Sequence, residues 1–90
     1  MHEKKVRKLG RVLSEPARVR IGKGGLNEGV LNEIRRYLER EGTVKVKVLR
    51  TAAGRVDVER LALEVSTELG AELRDVRGHT FTIARRKQPA

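Results

Sequence analysis

A chain of 90 residues with a net charge of +9 and no cysteine excludes several classes of function at once. It makes one domain that buries only about 60 to 65% of the surface its unfolded chain exposes, so a deep enclosed active site is not expected. Disulfides and thiolate metal sites are ruled out, no window is long and apolar enough for a signal segment or a membrane span, and the charge calls for a polyanionic partner.

The charge is unevenly spread. Residues 1–23 carry eight Lys/Arg against two acids, residues 24–41 three against four, residues 42–54 three against none, residues 55–70 two against four, and residues 71–90 five against two. The stretches with helical patterning are therefore neutral or slightly acidic. The excess positive charge lies on the N-terminal segment, the strands and the loops.

Residues 1–15 place Val6, Leu9, Val12 and Leu13 at nearly helical spacing, interrupted by Gly10, which costs about 1 kcal/mol relative to Ala in a helix. A short or frayed helix is expected, and its five basic residues fit a tail along a nucleic-acid backbone and a solvated terminus equally well. After Ser14-Glu15-Pro16, residues 17–21 alternate as a strand, with Val19 and Ile21 on one face and Arg18 and Arg20 on the other. Asn27 suits the N-cap of a helix over 28–41, whose stripe is Val30, Leu31, Ile34 and Leu38, and Gly42 suits its C-terminal cap.

Residues 43–49 read as a strand with Val44, Val46 and Val48 one way and Lys45 and Lys47 the other. Residues 51–54 form a loop. A second amphipathic helix follows over 56–69, with Val58, Leu61, Ala62, Val65 and Leu69 inward and Gly70 closing it. Residues 71–77 and 80–86 form a hairpin around Gly78-His79 with Phe81 and Ile83 facing the core, and residues 87–90 trail.

The expected fold is α/β in its two-layer α+β form. An optional helix precedes β-α-β-α-β-β, giving a four-stranded mixed sheet with the two main helices on one face, as right-handed crossovers dictate. Residues 1–15 form a basic N-terminal segment and residues 16–86 the single domain. Arg18, Arg20, Lys45 and Lys47 would then share the face opposite the helices. Like charges abreast cost stability, so that face is read either as a phosphate-contact patch or as a solvated surface.

Gly22-Lys23-Gly24-Gly25 lies between the first strand and the first helix. Glycines free the backbone for positive φ and close approach, and the helix start offers unpaired amides to an anion. The spacing fits a GxxG clamp in which amides and the Lys23 ammonium hold phosphates; it also fits an ordinary tight turn. No Gly-Lys-Ser/Thr follows, so nucleotide hydrolysis is not indicated.

Arg35, Arg36 and Arg40 sit among Glu33, Glu39 and Glu41, a pattern for intrahelical ion pairs. His79 is read as a turn residue or as an RNA-stacking contact, with general-base chemistry lacking a nearby nucleophile or acid. Tyr37 and Phe81 are the two aromatics, too few for a surface that stacks bases, which leaves backbone and shape contacts with folded RNA. No catalytic set or metal site assembles.

The window from Val19 to Leu49, VRIGKGGLNEGVLNEIRRYLEREGTVKVKVL, with LALEVSTELGAELRDVRGHTFTIARR and its Gly78-His79-Thr80 turn, resembles the CRM-domain family of RNA-binding proteins. The resemblance spans about residues 17–86. It implies a non-enzymatic, cytoplasmic, YhbY-like protein that binds ribosomal RNA of the large-subunit precursor during assembly, without cofactor, small-molecule substrate or membrane, as a monomer. The RNA-binding residues it implies are Gly22, Lys23, Gly24 and Gly25; the charge pattern adds Arg18, Arg20, Lys45 and Lys47 to them, and the turn adds His79. Two alternatives share the size and the strand-helix order. One is an Alba-like chromatin protein, which carries Lys-Pro where this chain has Lys-Gly-Gly. The other is a ribosome-docking module resembling the C-terminal domain of translation initiation factor three.

Overall fold

The computed structural model describes residues 15–22, 24–49 and 57–86. In chain order these form β1 (Val19–Ile21), α1 (Glu28–Glu41), β2 (Thr43–Val48), α2 (Val58–Leu69), β3 (Ala71–Arg77) and β4 (Thr80–Arg85). The expected N-terminal helix, the loop at 51–54, the tail at 87–90 and Lys23 lie outside the described residues. The two-layer architecture is as expected.

Both helices start and stop where their cap chemistry directs. Asn27 is extended, and its Oδ1 accepts from the Val30 N–H at 2.9 Å. Gly42 takes φ 81° and donates its N–H to the Leu38 carbonyl at 2.9 Å, which ends α1. Asp57, which the sequence pattern did not single out, caps α2 by accepting from Glu59 and Arg60. Gly70, at φ 63°, closes that helix onto the Ser66 and Thr67 carbonyls. Each N-cap contributes about 1 kcal/mol.

The sheet order is β1-β2-β4-β3. β1 and β2 are parallel, joined across α1, and β4 is antiparallel to both of its neighbours. β3 is therefore parallel to β2 with β4 inserted between them, so α2 also crosses over. Right-handed crossovers bring both helices to one face. That face holds the core, in which Val19, Ile21, Val44, Val46, Val48, Phe81 and Ile83 of the sheet meet Ile34 and Leu38 of α1 and Leu61, Ala62 and Val65 of α2. Phe81 is fully buried at the register level of Val46 and Val76.

β3 departs from simple alternation. Leu73 pairs with Ile83 and Asp75 with Thr82, so Arg74 is an extra residue in a bulge. The bulge reverses the parity of the strand. It lets both Leu73 and Val76 pack against the core while Glu72, Asp75 and Arg77 take the opposite face.

Candidate nucleic-acid interface

Because β1 and β2 are parallel, their last residues, Ile21 and Val48, lie level. β4 runs the other way and begins beside them, since Thr80 pairs with both Lys47 and Arg77. One end of the sheet therefore gathers the loop after β1, the Gly78-His79 turn and, by chain continuity, the starts of both helices. Two main-chain bonds fasten this end: Leu49 N–H to the Ile21 carbonyl at 2.9 Å, and Val48 N–H to the His79 carbonyl at 2.7 Å.

The loop is closed by the Gly25 N–H donating to the Gly22 carbonyl at 2.9 Å. Among the described glycines of the loop, Gly25 is the one at positive φ, 72°, so the expectation of general backbone freedom narrows to a single position. At Gly22 an added Cβ would rest 3.5 Å from Leu49 Cδ1, an ordinary contact, and at Gly24 it would rest 4.0 Å from Asn27 Nδ2. Their lack of a side chain instead leaves the backbone just before α1 bare on the side of the described residues. There the first-turn amides of Glu28 and Gly29 have no partner within the helix, as at every helix start.

The four cations expected on the open sheet face do not all gather there. Arg18 precedes β1 and escapes its alternation. Its guanidinium turns to α1, 3.6 Å from the Glu41 carboxylate and 5.8 Å from the centre of the Tyr37 ring. A carboxylate and an aromatic face one helical turn apart attract it more than a neighbouring row of cations does. This same contact uses Glu41 in place of an ion pair within α1. Arg35 donates to Asn32 Oδ1 at 2.7 Å, and a pair from Arg35 to Glu39 would have the weaker orientation, base before acid.

Lys45 stays on the sheet face but is half-buried, donating from Nζ to the Glu15 carbonyl at 2.8 Å. Thr43 and Thr82, on the same face, are also buried. The half of the face remote from the loop is thus closed. The half beside the loop is open, with Arg20 and Lys47 exposed.

Those two cations belong to a longer row. Arg20 pairs with Lys47, Lys47 with Thr80, and Thr80 with Arg77. The row crosses all four strands, about 14 Å at about 4.8 Å per strand. Arg77 is exposed and lies 3.2 Å from Asp75, while Arg20 and Lys47 have no ion pair among the described residues. Thr80 and Arg77 were not among the residues expected from sequence. The signal for them is the three-residue spacing of Leu73 and Val76, which period two does not allow without an extra residue.

His79 is exposed at the tip of the hairpin beside this row, held by its own main chain. Gly78, at φ 54°, occupies the first position of a two-residue turn, where glycine is favoured. No group of three or more His, Asp or Glu residues suited to a metal ion occurs among the described residues, and no described helix is long and apolar enough to cross a membrane.

A two-layer domain with a glycine loop and a cationic row at one end of a mixed sheet is the class that these features define. The chain belongs to the CRS1/YhbY (CRM) domain family, whose model matches residues 1–85. The match takes in the first sixteen residues, which the resemblance by motif left out. Among solved structures the chain is similar to SAV1595 from Staphylococcus aureus, a hypothetical protein described as a candidate RNA-binding protein. The two share 28% identity and a TM-score of 0.72, over 89% of this chain and 81% of that one. No protein of curated function matches the chain.

Proposed function

We propose that this chain is a non-enzymatic RNA-binding domain that grips the backbone of structured RNA. The carrying observation is the meeting of the Gly22–Gly25 loop, the exposed pair Arg20 and Lys47, and the His79 turn at one end of the sheet. The loop and the start of α1 offer amides to a phosphate, Lys23 adds an ammonium from within the loop, and the row offers charge to the neighbouring phosphates. Membership of the family and the likeness to a candidate RNA-binding protein support the same reading.

The target we assign is ribosomal RNA of the large-subunit precursor, bound in the cytoplasm during assembly. A surface with cations and almost no exposed aromatic reads backbone and shape, so affinity falls steeply with salt and depends little on sequence. The test is affinity for large-subunit ribosomal RNA fragments and for duplex DNA of equal length over a range of salt. A clear margin for RNA with a steep salt slope is expected. Equal binding to both would favour a DNA-coating protein of the Alba kind, and the absence of binding to either would end the reading.

A further inference from the structure

We propose that Thr80 reads the ribose 2′-hydroxyl and so sets a preference for RNA over DNA; this rests on the reading of the open sheet face as an RNA contact. Thr80 stands in the row between Lys47 and Arg77, with its side chain on their face. Its Oγ1 lies 2.8 Å from the Arg77 main-chain carbonyl. A carbonyl oxygen only accepts, so the Thr80 hydroxyl must be the donor, and its single proton is committed. What Oγ1 presents outward is lone pairs alone.

Every charged neighbour in that row has the opposite capacity. An ammonium and a guanidinium donate and never accept, which suits phosphate oxygens. An acceptor set among them gains nothing from a DNA backbone, whose phosphates and sugar oxygens only accept. The ribose 2′-hydroxyl is the one backbone group that can donate, and it is what distinguishes RNA at a given site. In A-form RNA those hydroxyls line a wide, shallow minor groove. A row about 14 Å long, with cations on both sides of one acceptor, can meet the flanking phosphates and a hydroxyl between them.

The measurement compares an RNA hairpin with the same hairpin carrying 2′-fluoro groups, which keep the A-form shape and cannot donate. Wild-type protein should bind the 2′-fluoro form about three- to tenfold more weakly, the range of one neutral hydrogen bond. Thr80→Val should bind both forms alike, and Thr80→Ser should restore the difference. Equal binding of both forms by the wild type, or a preference that survives in Thr80→Val, would overturn the assignment. Lys47→Ala separates the two levels of inference. It should weaken both forms together; if it leaves both at wild-type affinity, the sheet face is not the RNA contact at all. If Lys47→Ala weakens both while the wild type shows no 2′ preference, only the role of Thr80 fails.

Discussion

The Arg18 guanidinium lies 3.6 Å from the Glu41 carboxylate, on the helix side of the sheet. Arg18 thus ties the start of β1 to the end of α1, and the Tyr37 ring beneath it adds a cation–π contact. Exposed pairs of this kind are worth about 0.2–1 kcal/mol, and a surface cation–π contact about 0.5–1. Arg18→Ala should lower stability by roughly 1 kcal/mol and weaken RNA binding far less than Lys47→Ala does. A loss of affinity equal to that of Lys47→Ala would place Arg18 in the interface.

Lys45 and Lys47 are two residues apart on one strand face but should respond in opposite ways. Lys45 is half-buried and holds the part-buried Glu15 carbonyl, and removing a charged partner from such an acceptor costs about 1 kcal/mol or more. Lys47 is exposed beside Arg20, where like charges repel, so its removal leaves stability unchanged or slightly raised. Thermal unfolding should therefore single out Lys45→Ala, and RNA titration Lys47→Ala. If the two variants behave alike in both assays, the division of this face into a closed and an open half is wrong.

Much of this architecture is readable from the chain. At α1 the cap Asn27, the apolar stripe and Gly42 all agree, and the helix runs from Glu28 to Glu41 as they dictate. At β2 three valines alternate with lysines, and all three are buried. Legibility fails where a residue is not bound by its element's period. Arg18 stands just before β1 and follows the pull of Glu41 and Tyr37 instead of alternation. The bulge at Arg74 absorbs one extra residue of β3, so the face of Arg77 cannot be read by counting in twos from Leu73. The pairing of Thr80 with both Lys47 and Arg77 is a property of strand order, which no local pattern contains.

Two glycines of the loop make a matched test. Gly25 is at φ 72°, where a side chain costs about 1–2 kcal/mol. Gly22 has ordinary φ and room for a Cβ against Leu49. Gly25→Ala should be destabilised by about that amount, and Gly22→Ala should be nearly neutral in thermal unfolding. If Gly22→Ala nonetheless weakens RNA binding, its role is to admit the ligand and not to shape the turn. Equal destabilisation by the two substitutions would contradict the loop geometry.

Lys23 carries the charge of the loop, and its contribution can be read from salt. Each phosphate neutralised adds about 0.9 to the slope of log K against log salt for a duplex, and about 0.7 for a single strand. Lys23→Ala should reduce affinity for unrelated RNA sequences alike and flatten that slope by about one contact. Wild-type affinity and slope in the variant would remove the loop from the interface.

The bulge makes a sharper prediction, because Arg74 is the residue left over between two correct pairings. With Arg74 deleted, Leu73 can still face Ile83, and Asp75 and Arg77 can still face Thr82 and Thr80. The deletion removes local twist and an exposed ion pair with Glu72 at 3.0 Å, which is worth about 0–1 kcal/mol. It leaves Val76 on the core and Arg77 in the cation row. The shortened protein should fold, melt within about 10 °C of wild type, and keep its RNA affinity within a few-fold. Deleting Val76 instead takes an apolar residue from the core and, with Arg77 still paired to Thr80 at the turn, moves Asp75 opposite the buried Phe81, so that variant should fail to fold cooperatively. Should the Arg74 deletion unfold the chain as the Val76 deletion does, the bulge is a required bend in β3 and not only the accommodation of one extra residue.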